Sequence, residues 1–204
     1  MSRGSFGYAD PMAQTTKLLD TTDTHGDLVS QLLAQHHKIH EALYAVAQTT
    51  TAESRQDAFD QLRELLARHE TAEEMIVRPL TRGVDDGASV AAARMQEENE
   101  GKDMLAELER LDIASEEFAR LFERFARAVL THAQNEESDE FPLLRDDLDE
   151  DQLRAAERLL LLAERVAPTH PHPSARSTTM NYVAGPFAAM TDRARDAISK
   201  LRAS

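Results

Sequence analysis

Two stretches of this 204-residue sequence carry the same chemical device: His69-Glu70-Thr71-Ala72-Glu73-Glu74 and His132-Ala133-Gln134-Asn135-Glu136-Glu137. In each, a His and a Glu stand four residues apart, which on a helix puts both side chains on one face, a turn apart. An imidazole and a carboxylate so placed can reach one metal ion together, and the two oxygens of a carboxylate let Glu73 and Glu136 each bridge a pair of ions. The apolar neighbours show where these faces point. Leu62, Leu65 and Leu66 lead into His69 and Glu73, and Ile76 and Leu80 follow. Phe118, Leu121, Phe125 and Val129 lead into His132 and Glu136. Two further segments repeat the pattern: His36 lies between Leu32, Leu33 and Ile39, Leu43, with His40 one turn on, and Glu98 interrupts the stripe Ala91, Met95, Leu105, Leu108. Burying that many ionisable groups costs on the order of several kcal/mol apiece unless they are paired or bound to a cation. A metal centre removes the cost, and a nitrogen and oxygen donor set without thiolate suits iron, manganese or zinc.

The elements that must position these residues follow from periodicity and punctuation. From Asp27 to Val166 the chain has only Gly83, Gly87, Gly101, Pro79 and Pro142 among its Gly and Pro residues, and its apolar positions recur at steps of three and four. That predicts four long helices with short connections and no strands: an all-α, up-down-up-down four-helix bundle with extra C-terminal helices. The second helix should falter near Pro79 before Gly83-Val84-Asp85-Asp86-Gly87. Asp112 to Ser115 should break the third from the fourth with Ser115 as cap, and the fourth should stop at Phe141-Pro142. A fifth segment, Glu150 to Arg165, should pack beside the bundle. The acidic run Asp146-Asp147-Leu148-Asp149-Glu150-Asp151 reads as its N-terminus rather than a calcium loop, because it lacks the Gly of an EF-hand turn. The division expected is a flexible arm over 1–26, with a helical piece near Met12–Leu19, a metal-binding bundle over 27–148, and a helical extension over 149–204. Within the extension, Pro168-Thr169-His170-Pro171-His172-Pro173 runs extended, and a last helix spans Pro186 to Arg202.

Composition bounds the rest. The chain has 37 Asp and Glu against 23 Lys and Arg, a formal net charge of −14, with eight His and no Cys. The acidic surplus argues against nucleic acid and anionic membrane surfaces as partners. Zero Cys excludes disulfide frameworks, iron–sulfur clusters and thiol catalysis. No apolar run approaches the roughly 20 residues that span a bilayer, and with no basic-then-apolar leader the expected address is cytoplasmic.

The motifs resemble the hemerythrin-like HHE cation-binding domains over about Asp27 to Leu148. The matching pieces are His36-His37-Lys38-Ile39, then His69-Glu70-Thr71-Ala72-Glu73-Glu74 with Arg78-Pro79-Leu80, and His132-Ala133-Gln134-Asn135-Glu136-Glu137 with Phe141-Pro142-Leu143-Leu144. The resemblance implies a non-haem di-iron centre, oxo- or hydroxo-bridged, inside a four-helix bundle, with His36, His69, Glu73, His132 and Glu136 as ligands and a small diatomic or peroxide ligand (dioxygen, hydrogen peroxide or nitric oxide) reaching one iron. Zinc or manganese would also suit the donors, and affinity order alone favours zinc over iron. The sequence departs from the family where helix three usually offers a His: Glu98 stands there, with Glu97 as the off-by-one alternative. A carboxylate in that place favours iron(III) over iron(II). It shifts the expectation from reversible oxygen carriage to redox turnover of a catalase, peroxidase or oxidase kind, with an electron donor that the sequence does not name.

The departure also leaves the site one imidazole short, and His40, His170 and His172 are the further candidates. The Pro-His-Pro segment either folds over an open end of the bundle and donates an imidazole or is a linker with exposed His. His37 should point sideways, Glu74 and Glu137 should lie on a solvated face, Tyr44 is either half-buried or a hydrogen-bond donor to a bound oxygen species, and His25 carries no argument. Metal storage or sensing, and a purely structural bundle, are the rival functions.

Overall fold

The computed structural model describes residues 26–167, 194 and 196–201. The N-terminal arm with Met12–Leu19 and His25, and the segment with His170 and His172, lie outside the described residues. Among the described residues every regular element is helical. The long helices are α1 (Leu28–Gln48), α2 (Ala52–Ala72), α4 (Gly87–Leu108) and α5 (Glu116–Asn135), with a short α3 (Arg78–Arg82) after α2. A short α6 (Phe141–Asp147) follows α5, and α7 (Glu150–Val166) comes next. Residues 194 and 196–201 of the expected last helix are helical.

Three of the four long helices, and α7, start on a side chain that satisfies a free N–H group. Asp27 accepts from the Ser30 amide, Thr51 from Ser54 and Ser115 from Phe118. At α7, Asp149 and Gln152 form a reciprocal capping box, so the acidic run is a helix start as expected. α4 begins differently. Asp86 adopts a left-handed conformation with φ 61°. At Gly87 any Cβ would lie 1.8 Å from the Thr81 carbonyl oxygen, so only glycine allows that approach.

The second helix falters just ahead of Pro79, as the sequence suggested, but Pro142 behaves otherwise than expected. Neither proline ends its helix. Glu73–Val77 and Glu136–Glu140 are π turns, and helix resumes at Arg78 and at Phe141. The amides of Arg78 and Phe141 reach back five residues, to the carbonyls of Glu73 and Glu136. Pro79 and Pro142 follow one residue later, and the wider turn relieves the collision a proline ring would make in a regular helix. The expected stop at Phe141-Pro142 is therefore replaced by a bulge and another helical stretch to Asp147.

The core falls into two apolar clusters. One gathers Leu28, Val29 and Leu32 of α1 with Ala72, Ile76, Leu80, Phe141 and Leu144, and is closed by Leu153, Ala156, Leu160 and Ala163 of α7 and by Ala194, Ile198 and Leu201. The other holds Ile39, Leu43 and Val46 with Phe59, Leu62, Leu66, Leu105, Leu108, Phe118, Leu121, Phe122 and Phe125. Phe59 meets Phe118 edge to face at 5.2 Å, and Phe118 stacks on Phe122 at 5.8 Å. Along α1 the change from one cluster to the other comes between Leu32 and Ile39, at buried Gln35 and His36. A polar layer thus divides the core, and the motif residues fill it. On α4 the buried face is Ala91, Arg94, Glu98, Leu105 and Leu108, so Arg94 takes the place expected for half-buried Met95. No helix among the described residues is long and apolar enough to cross a membrane.

Candidate metal centre

In that layer the side chains form two donor groups, His36, His69, Glu73 and Glu136, and Glu73, Glu98, His132 and Glu136, each with donor atoms within 4.8 Å of one another. Glu73 and Glu136 belong to both. The two oxygens of Glu136 face opposite ways: Oε2 lies 3.2 Å from His36 Nε2, and Oε1 lies 3.2 Å from His132 Nε2. His69 Nε2 stands 3.5 Å from Glu73 Oε1. Donors bound about 2.0–2.2 Å from one ion at right-angled or tetrahedral positions lie about 2.8–3.6 Å from each other, so the spacing fits shared coordination.

Hydrogen bonding supports the same fit. His36 Nε2, His132 Nε2, Glu73 Oε1 and Glu136 Oε2 are buried without a hydrogen-bond partner. Such orphans are rare in native interiors and need an explanation, which a bound cation would supply. The other ring nitrogens are all engaged. Nδ1 of His36 bonds Glu137 Oε1 at 2.8 Å, Nδ1 of His69 bonds Gln35 Oε1 at 2.8 Å, and Nδ1 of His132 bonds Glu97 Oε2 at 2.9 Å. In the neutral imidazole an acceptor at Nδ1 fixes the proton there and leaves the Nε2 lone pair aimed into the layer, the usual arrangement behind a metal-bound imidazole. Gln35 is itself tied to Glu164 of α7, and the Phe141 ring stacks on His36 at 5.5 Å.

Charges in the layer are strongly coupled. Burial works against the charged form of His36, but Glu136 and Glu137 carry its pKa up to about 9. His132 rises to about 9 against burial through Glu136 and Glu97. Burial and the neighbouring charge of His36 push His69 down to about 3. Burial and the charge of Glu136 raise Glu73 well above the carboxylate range. Glu136, despite its burial, is held well below that range by His132, His36 and Arg78.

Arg78 is the residue the sequence did not reveal as part of the layer. Its guanidinium is 1% exposed and faces four carboxylates. Nη2 lies 3.3 Å from Glu73 Oε2 and 2.7 Å from Glu98 Oε1 and touches Glu136 Oε1, Nε donates to Glu98 at 2.8 Å, and Nη1 bonds Glu140. Thr81 donates to the other Glu140 oxygen. A residue five beyond Glu73 would turn away from the site in a regular α-helix, and the π turn brings it back onto the Glu73 face. The signal available in the sequence was the proline six residues after each motif Glu.

The structure thus brings together His36, His69, Glu73, Glu98, His132 and Glu136, and leaves others out. His40 is half-buried and belongs to neither group. His37 is exposed and pairs with Glu41 at 3.3 Å. Tyr44 is 62% exposed rather than half-buried. Glu74 is exposed beside Lys102, as expected of a solvated face. Glu137 is exposed too, yet it is the acceptor that orients His36, and Glu97 orients His132 rather than replacing Glu98.

Comparison with known proteins bears on the fold and the family. A solved structure of a hemerythrin HHE cation-binding domain-containing protein from Mycobacterium kansasii superposes with a TM-score of 0.63 at 16% identity, covering 86% of this chain and 99% of that one, which speaks for the fold. No curated protein matches the sequence. The family model for the hemerythrin HHE cation-binding domain matches residues 27–144, more than half of the chain. With that match and the paired His-x-x-x-Glu motifs lining one buried layer, the chain belongs to the hemerythrin HHE cation-binding family.

Proposed function

We propose that the chain holds iron at two adjacent positions in the polar layer and there binds, or processes by redox chemistry, a small ligand of the dioxygen, hydrogen peroxide or nitric oxide class. The observation that carries this reading is the pair of donor groups sharing Glu73 and Glu136, with unpartnered His36 Nε2, His132 Nε2, Glu73 Oε1 and Glu136 Oε2 facing inward. His36 and His69 would serve one position, His132 and Glu98 the other, with Glu73 and Glu136 between them. Bound iron would supply an open coordination position and a change of oxidation state.

The protein's own part is orientation, charge and exclusion of water. Gln35, Glu97 and Glu137 hold the three imidazoles with Nε2 inward. The apolar clusters above and below keep water from the layer, which strengthens every charge interaction inside it. Once the imidazoles and the carboxyls have given up their protons to metal binding, Glu73, Glu98, Glu136 and Glu140 set four negative charges against the one guanidinium of Arg78. That excess favours iron(III), which supports redox turnover over reversible carriage and calls for an external electron donor.

Iron content and the absorption spectrum of protein loaded to saturation test the proposal. Two iron per chain with near-ultraviolet charge-transfer bands are expected. Anaerobic reduction followed by air should return the iron(III) spectrum promptly. A long-lived oxygenated spectrum would establish carriage instead, and a colourless, metal-free protein would remove the proposal.

A further inference from the structure

The two donor groups are not equivalent. In the first, His36 Nε2, Glu73 Oε1 and Glu136 Oε2 have no partner. In the second, every carboxylate already has one, and it is the same atom. Nη2 of Arg78 contacts Glu73 Oε2, Glu98 Oε1 and Glu136 Oε1, and only His132 Nε2 is left without a hydrogen bond. The guanidinium stands where the oxygens of the second position converge.

Resting on the two-position reading above, we propose that Arg78 is a built-in cation occupying the second position, so that the centre loads its metal ions in order and unequally. The first ion enters the His36, His69, Glu73, Glu136 group, where His36 Nε2, Glu73 Oε1 and Glu136 Oε2 have no hydrogen-bond partner. The second must displace Arg78 from three carboxylates and sit near its positive charge in a poorly screened interior. Glu140 keeps the displaced guanidinium from being stranded: it holds Nη1 on the far side and is itself held by Thr81. Between the two loadings the chain is mononuclear, and ion supply decides when it becomes dinuclear. The arrangement also keeps Glu98, Glu136 and Glu140 paired when no metal is bound, so the layer is assembled in advance.

Zinc titration of the metal-free full chain, followed by calorimetry and by imidazole and Arg Nε–H NMR signals, tests the order. The wild type should bind two ions in two phases, the second on the order of 10–100-fold weaker, since each displaced charged contact weighs on it. The first equivalent should shift the His36 and His69 signals, and the second those of His132 and the Arg78 Nε–H. Arg78→Gln should tighten the second phase by about 10-fold or more relative to the first, because neutral Gln removes the competing charge. Arg78→Lys, which keeps the charge, should retain the separation. Simultaneous shifts of all three histidines with one equivalent, or a second phase no tighter in Arg78→Gln, would overturn the proposal while leaving the two-position reading intact. A wild type that binds no zinc and no iron would instead overturn that reading.

Discussion

His36 Nε2 and Glu136 Oε2 stand 3.2 Å apart inside the bundle, and neither has a hydrogen-bond partner. The carboxylate's other oxygen is the same distance from His132. One glutamate therefore faces an imidazole on either side, and with its counterpart Glu73 it joins two donor groups into one centre.

Proton release should accompany metal binding. His36 and His132 have pKa values of about 9, whereas His69, at about 3, is already neutral. A metal ion needs the neutral imidazole. Affinity for zinc should thus climb from pH 6.5 to 9, with His36 giving up its proton to the first ion and His132 to the second. Calorimetry in two buffers of different ionisation heat measures this; binding heats independent of buffer at pH 7.5 would contradict it.

Metal-free stability should move the opposite way over the same range. An unfolded His titrates near 6.5, and both folded values lie above it. Their stabilisation is complete below pH 6.5 and is lost as the pH rises through about 9, on the order of a few kcal/mol each. Thermal melts of metal-free protein should show Tm falling across that window, and saturating zinc should flatten the fall.

The acceptors behind the imidazoles should matter although they touch no metal. Gln35→Leu removes the partner of His69 Nδ1 at similar volume. Metal affinity should fall about 10–100-fold with the helical circular dichroism unchanged. Glu97→Gln should act more mildly, since an amide oxygen can still accept from His132 Nδ1.

Packing and metal binding should separate at the far cluster. Phe118→Ala, which empties the place of a ring 1% exposed among Phe59 and Phe122, should cost about 3–5 kcal/mol in urea unfolding. The metal content of the folded fraction should not change, because the cluster lies apart from the donors.

Two glycines should respond in opposite senses. Gly101 sits within α4 with open space around its Cβ position, so Gly101→Ala should stabilise by about 0.5–1 kcal/mol. Gly87→Ala should destabilise, because its Cβ would strike the Thr81 carbonyl. Denaturant midpoints of the two variants check the pair.

The inward residues were readable because α-helical period and apolar neighbours point to them directly: His36, His69, Glu73, Glu98, His132 and Glu136 each continue a stripe of buried Leu, Ile or Phe. Arg78 was not readable by the same rule, since a π turn changes the period just where it is applied, and Phe141 was mistaken for a helix end for the same reason. The orienting roles of Gln35, Glu97 and Glu137 were not readable: Gln35 drew no expectation, Glu97 stood only as an alternative to Glu98, and Glu137 as part of a solvated face. Their role depends on distances between helices, which local pattern does not contain. Arg94 rather than Met95 lies on the buried face of α4, with its Nη2 2.8 Å from Glu97 Oε1 one turn along the same helix.

Anomalous diffraction from crystals equilibrated with saturating iron tests the central claim most directly. Two anomalous peaks are predicted in the polar layer, both beside Glu73 and Glu136, one next to His36 and His69 and the other next to His132 and Glu98. Fully loaded crystals with no peak among these side chains, or with iron bound only at the acidic surface, would contradict it.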